Sequence, residues 1–162
     1  MADGVQQSQN VTAEAIFTYS DQPERPNVNR VDFMGFQFDP LDLDSAVRIV
    51  AARARARDPF QYVVTPNAAI AVARHQEPEI FAPLLANASL VLNDSRILQM
   101  LGGFSGVTLP VACGSDLTER LFETEIDSEE EVVLIGGDAA VAKAVAQRYH
   151  LTKLRHHIPP MG

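Results

Sequence analysis

Apolar and polar positions follow two rhythms along this chain. After Arg30, residues Val31, Phe33, Phe36 and Phe38 fall on either side of Gly35 at strand-like spacing. That pattern predicts a short strand or hairpin with its kink or turn at the glycine. Over Asp42–Arg57 the rhythm becomes helical, with Leu43, Ala46, Val47, Val50 and Ala54 on one face. Asp42 is a suitable cap for the start of this helix. Arg53, Arg55 and Arg57 crowd its last turns, where cations suit the helix dipole. A solvated helix end accounts for that basic cluster, with contact to anionic lipid as the alternative.

The two rhythms then alternate. Strand character at Phe60–Val64 is followed by helical character at Asn67–His75 and again at Pro78–Asn87. Ser89–Leu92 is a short apolar strand, and Arg96–Leu101 a helix expected to stop at Gly102-Gly103. Val107–Ala112 is expected to be a further strand, and Gly114-Ser115-Asp116 leads into a helix over Leu117–Glu123. The acidic run Asp127–Glu131 reads as a loop or a helix end. Glu131–Ile135 is a strand, Gly136-Gly137-Asp138 a tight turn, and Ala139–His150 a helix. About four strand–helix alternations predict an α/β, Rossmann-like fold with a mainly parallel sheet and flanking helices. Residues 1–28 are polar and aperiodic, which predicts a mobile leader before a domain over 29–162.

Composition narrows the function classes. The 162 residues carry 13 Lys and Arg against 21 Asp and Glu, a formal charge of −8. A general nucleic-acid binder needs a basic face, so nucleic acid is not an expected partner. One phosphorylated small molecule remains compatible, because helix starts bind phosphate locally. Cys113 is the single cysteine. No disulfide can form within the chain, and a reducing, cytoplasmic setting follows. No basic, apolar signal sequence opens the chain and no apolar run has bilayer length. Asn10-Val11-Thr12 matches a glycosylation acceptor only by chance in that setting.

In parallel α/β sheets, ligands gather where strands end. Four such ends carry polar or glycine-rich turns: Thr65-Pro66-Asn67, Asn93-Asp94-Ser95, Cys113-Gly114-Ser115-Asp116 and Gly136-Gly137-Asp138. Each has a plain structural explanation. Asn67, Asp94, Ser115 and Asp116 are good helix caps, and the glycine pair permits a tight turn. On one rim of one sheet, however, the four would form a shared pocket. His156-His157 would point to opposite strand faces, which argues against a common metal ion. His75 and His150 lie near helix ends. Cys113 lacks a histidine to activate it and reads as a small packed residue. Asp138 reads as a loop acid.

The blocks VVTPNAAI, ANASLVLNDS, LPVACGSDLTERL and VVLIGGDAAVAKAVAQ, in this order, resemble the WecG/TagA/CpsF family of glycosyltransferases over roughly residues 31–157. The resemblance implies transfer of an N-acetylmannosamine-type sugar from a UDP-sugar to a polyprenyl-diphosphate-linked sugar. It places the reaction at the cytoplasmic face of the membrane, in teichoic acid, common antigen or exopolysaccharide synthesis. It also implies inversion at the anomeric carbon without a required metal or other cofactor. Asp94 matches the family aspartate proposed as general base, and Thr65 and Asn67 match its pocket residues. Gly114, Ser115, Gly136 and Gly137 become donor-side candidates. The chemistry is compatible: a carboxylate at a strand end beside Leu92 can take a hydroxyl proton, and helix-start N–H groups can face a leaving diphosphate. The glycine turn is not GxGxxG, so a dinucleotide reading is weak.

Three departures from the family pattern stand out. Ser95, then Arg96, follows the aspartate where the family has glycine. Val111 occupies the position of a family arginine thought to meet the diphosphate, and Arg96 is the candidate replacement. The chain reaches Gly162 without the Gly-x-Pro-x-Gln-Glu block or the membrane-binding tail that the resemblance implies. The expectation is therefore an N-terminal catalytic portion, with peripheral membrane contact and homo-oligomerisation left open. A non-catalytic α/β binding or assembly module is the rival reading, and an unrelated nucleotide-binding α/β protein a third.

Overall fold

The computed structural model describes residues 29–56 and 60–160. The expected leader at 1–28 and Arg57 lie outside the described residues. Strands β1 (Val31–Phe33) and β2 (Phe36–Phe38) form the antiparallel hairpin, with Val31 opposite Phe38 and Phe33 opposite Phe36. Its two-residue turn puts Met34 and Gly35 at φ of 49° and 79°. Both central residues of such a turn need positive φ, which glycine supplies without strain. Phe36 and Phe38 are buried, with ring centroids 5.2 Å apart, and the Arg74 guanidinium lies over the Phe36 ring.

Helix α1 (Leu43–Ala56) starts where the Ser45 N–H donates to Asp42 Oδ1 at 2.7 Å. Hydrogen bonding from the Ser45 side chain, and then from this N–H, holds the Asp42 carboxyl below its ordinary range. Of the apolar face predicted for α1, Ala46 and Val47 are buried and Leu43 and Val50 half-buried, whereas Ala54 is exposed and Ala51 is buried instead. Strand β3 (Val63–Val64) then pairs in parallel with β4 (Leu90–Val91), with helices α2 (Ala68–Gln76) and α3 (Pro78–Asn87) forming the crossover. Backbone bonds from Ser89 N to Tyr62 O, Leu92 N to Val64 O and Asp94 N to Pro66 O prolong the ladder at both ends.

β4 is the centre of the molecule. Ala88, Leu90, Val91 and Leu92 are all almost fully buried. Because successive strand residues face opposite ways, Val91 joins a core with Phe36, Phe38, Leu98 and Leu109, whereas Leu90 and Leu92 join one with Ala46, Val47, Ala112 and Leu117. On β4 the Val91 N–H donates to Asp39 Oδ2 and its carbonyl accepts from the Asp39 N–H, each at 2.8 Å. Asp39, 2% exposed, thus pairs with β4 through both its side chain and its main chain, and Arg30 neutralises it with Nε 3.0 Å from Oδ1.

Helix α4 (Arg96–Phe104) runs through Gly102-Gly103 instead of stopping before them. A helical glycine costs only about 1 kcal/mol relative to alanine. The site of Gly102 also wants no side chain: a Cβ there would lie 3.1 Å from Val107 O. Residues 107–112 form no strand. Pro110 lacks the N–H a ladder needs, and the segment is held instead by Ala112 N donating to Asn93 O. Helix α5 (Gly114–Thr124) begins three residues before the expected Leu117.

Strand β5 (Glu131–Ile135) pairs in parallel with β6 (Lys153–His157) across helix α6 (Ala139–Arg148). The fold is therefore mixed α/β and consistent with a Rossmann-like arrangement, but its parallel strands come as two short pairs instead of one continuous sheet among the described residues. Asp138 caps α6, accepting from Val141 N at 2.8 Å. Replacing it with alanine removes one satisfied helix-start donor. Asp138→Ala should cost about 1 kcal/mol of stability, read from the urea midpoint at unchanged slope.

Candidate functional site

The site grows from the end of the β3–β4 ladder. The bond from Asp94 N to Pro66 O, 3.1 Å, makes Asp94 the direct neighbour of Thr65-Pro66-Asn67. Pro66 is buried, Thr65 and Asp94 are half-buried, and Asn67 is exposed. Asn67 caps α2 as expected, its Oδ1 accepting from Ala69 N and Ile70 N at 3.0 and 3.1 Å. This fixes the orientation of its amide, so that only the NH2 end is left to meet a ligand.

Asp94 does not cap its own helix. Ser95 does so, its buried Oγ accepting from Leu98 N at 3.2 Å. The Asp94 carboxylate turns instead to the start of α5, where Oδ2 accepts from Gly114 N at 3.2 Å. A helix N-terminus is a favourable place for negative charge. Thr65 reaches the same point: a Cβ on Gly114 would lie 2.6 Å from Thr65 Oγ1. Thr65, Asp94 and Gly114 therefore meet at one spot, on the rim where β3 and β4 end.

Cys113 precedes Gly114 at the N-cap position of α5 without capping through its side chain. Its thiol is pushed up to about 11, first by a hydrogen bond to Asp94, then by burial and by the Asp94 and Asp116 carboxylates, with Arg96 opposing. A thiol held protonated is a poor nucleophile. With the ordinary value at 9.0, Cys113 should alkylate with iodoacetamide roughly 100-fold more slowly at pH 8 than an ordinary exposed cysteine. The same shift has a sign for stability. The folded chain keeps the proton longer than the unfolded one, so this contribution is whole below pH 9 and is lost as pH rises through 11.

The other candidates are placed less centrally. Arg96, exposed at the first turn of α4, is close enough to influence the Cys113 thiol. Ser115 is exposed and its Oγ donates to Asp116 Oδ1 at 3.2 Å. With Cys113 as the N-cap of α5, neither Ser115 nor Asp116 is its cap. Gly136 and Gly137 have φ of 90° and 66° at the end of β5. Gly136 N donates to His157 O, and Gly136 O meets His156 Nε2 at 2.9 Å. No hydrogen bond among the described residues joins this turn to Thr65, Asp94 or Gly114. His156 is half-buried and His157 exposed on alternating faces of β6, and His75 and His150 are both exposed.

One residue not singled out by its chemistry organises the site. Asn93 is 2% exposed, accepts Ala112 N through its carbonyl, and donates from Nδ2 to Pro110 O at 3.4 Å. These contacts lay the segment before α5 along the end of β4 and bring Gly114 to Asp94. Its signal was visible only as a polar residue following an apolar run. From Gly114 and Ser115 an open crevice of about 440 Å³ extends past Leu134 to Phe122 and Tyr149. Those two rings stack with centroids 4.7 Å apart. A second cleft, lined by Val50, Tyr62 and Ser89, lies where β3 and β4 begin, on the opposite rim.

Among the described residues, no group of three His, Cys, Asp or Glu side chains is placed to hold a metal ion, and no helix is long and apolar enough to cross a membrane. No curated protein matches the chain. A family model, that of the glycosyl transferase WecG/TagA/CpsF family, matches residues 31–159. That span begins at β1, ends just beyond β6, and contains every element around Asp94. The chain belongs to the WecG/TagA/CpsF family of glycosyl transferases.

Proposed function

We propose that this glycosyltransferase moves an N-acetylmannosamine-type sugar from a UDP-sugar to a polyprenyl-diphosphate-linked acceptor, with inversion, in bacterial cell-surface polysaccharide synthesis. Asp94 is the general base. It takes the proton of the acceptor hydroxyl as that oxygen bonds to the anomeric carbon. The bond from that carbon to the UDP oxygen breaks on the opposite face, and UDP leaves with the electron pair. The observation that carries this reading is that the Asp94 carboxylate and the Thr65 side chain both lie against Gly114 at the start of α5. A base must lie within hydrogen-bond reach of the proton it abstracts, and in this reading the Thr65 hydroxyl and the Asn67 amide engage sugar hydroxyls.

The crevice beside Gly114 and Ser115 is the proposed donor groove. Arg96, Ser115 and the glycine turn at Gly136-Gly137 are its candidate phosphate contacts, and Ser95 supports the turn that carries Arg96. The reading includes no metal requirement, with cationic and N–H groups stabilising the leaving diphosphate. The reaction belongs at the cytoplasmic membrane face because a polyprenyl acceptor is anchored there.

The test is UDP release from UDP-N-acetylmannosamine in the presence of a short-chain polyprenyl-diphosphate-linked N-acetylglucosamine. Acceptor-dependent release that survives EDTA is expected. Donor binding without turnover would favour the non-catalytic binding module. As a separate expectation, Arg96→Ala should raise the donor KM about tenfold, the scale of one lost charge-assisted contact. An unchanged KM would remove Arg96 from the diphosphate site.

A further inference from the structure

We propose that Gly114 is a positioning residue: by carrying no side chain, it lets the Thr65 hydroxyl and the Asp94 carboxylate close on one helix terminus and holds them as a unit. The inference rests on the reading of Asp94 as the base. It changes the part Gly114 plays, since the N–H that was a candidate for donor phosphate is already given to Asp94 Oδ2.

The argument is one of space. A Cβ at Gly114 would lie 2.6 Å from Oγ1, 3.4 Å from Cβ and 3.5 Å from Cγ2 of Thr65. The obstacle is a short β-branched side chain, stiff at χ1, and the next residue of its chain is tied into the ladder by the bond from Asp94 N to Pro66 O. Gly35 makes a useful contrast. A Cβ there would meet the far end of the flexible Arg74 side chain, and Gly35 has the positive φ that independently calls for glycine. Gly114 has no left-handed backbone to justify it. At the start of an eleven-residue helix, glycine is otherwise a destabilising choice. What it supplies is room for Thr65. Displacing Thr65 or the turn at Gly114 would also move the N–H that fixes Asp94, so the two contacts fail together.

Cys113 reports on this arrangement without any need for turnover. It is the only cysteine in the chain, and its thiol donates to Asp94, with Asp116 and Arg96 as the other charged groups acting on it. The experiment measures iodoacetamide alkylation of the folded full-length chain at pH 8 for wild type, Asp94→Asn, Gly114→Ala and Thr65→Ala/Gly114→Ala. Asp94→Asn removes the carboxylate and should raise the rate by tenfold or more. Gly114→Ala should raise it at least threefold by shifting the carboxylate. The double variant, with the clash relieved, should return to within twofold of wild type.

A wild-type rate in folded Gly114→Ala would overturn the proposal. If Gly114→Ala does not fold, recovery of the fold in the double variant supports the clash, and failure to recover overturns it. In the transfer assay Gly114→Ala should lower kcat at least tenfold with donor KM unchanged. A loss confined to KM would return Gly114 to donor binding and overturn the positioning role. If wild type transfers no sugar, the assignment of Asp94 as base fails, while the alkylation rates still decide the geometry.

Discussion

Asp94→Asn should lower the rate of sugar transfer by about 10³-fold while leaving the fold intact. General-base catalysis contributes roughly 10²- to 10⁴-fold, and an amide cannot take the proton. Asparagine has the size of aspartate, and its side-chain oxygen can still accept the Gly114 N–H that now meets Asp94 Oδ2. The main-chain bond from residue 94 to Pro66 O does not involve the side chain at all. Structural loss is therefore expected to be small, and the fall should appear in kcat more than in donor KM. Steady-state kinetics beside a circular-dichroism melt separates the two effects. A variant retaining more than a tenth of wild-type kcat would remove Asp94 from the proton transfer.

The largest stability loss is expected at Asp39, well away from the chemistry. Asp39→Ala would delete a carboxylate that accepts Val91 N and pairs with Arg30 in the centre of the molecule. Arg30 would then lie against the core with its side chain 17% exposed and its ion pair broken. Removing one member of a buried pair costs several kcal/mol, because the remaining charge and donor stay desolvated. The expected loss is about 3 kcal/mol, a large share of the stability of a domain this size. Asp39→Asn should lose less, since an amide oxygen can still accept Val91 N. Urea unfolding of both variants gives the comparison, and a loss below about 1 kcal/mol for alanine would show that Asp39 does not hold the segment after β2 to β4.

The two predictions concern residues of unequal visibility. Asp94 stands at the end of an apolar run, where a ligand-binding acid is expected. Asp39 follows Phe38 and precedes Pro40, and reads along the chain as an ordinary loop acid. Its importance depends on β4, 52 residues away. Elements with strong local signals are legible almost to the residue. α3 spans Pro78–Asn87 and β5 spans Glu131–Ile135, both at their expected bounds. α1 covers Leu43–Ala56, within a residue of the expected helix at each end. Proline at a helix start, a capping acid and an apolar run rich in β-branched residues act over a few residues, and a reader of the chain sees them whole.

The remainder needed the folded chain. Whether 107–112 becomes a strand depends on a ladder partner; Pro110 has no N–H to give one, and the segment is tied down by isolated bonds at Val107, Pro110 and Ala112. Asp94 and Ser95 are both good caps for α4, and the choice falls to Ser95 because Gly114 draws the Asp94 carboxylate away. The amino-acid order alone determined the α/β alternation, the apolar faces and the polar strand ends, since each is set by neighbours within a turn or two. Only the tertiary structure decided that Thr65, Asp94 and Gly114 share one point, because that depends on three segments closing around β4, and no local pattern records where distant backbone will arrive.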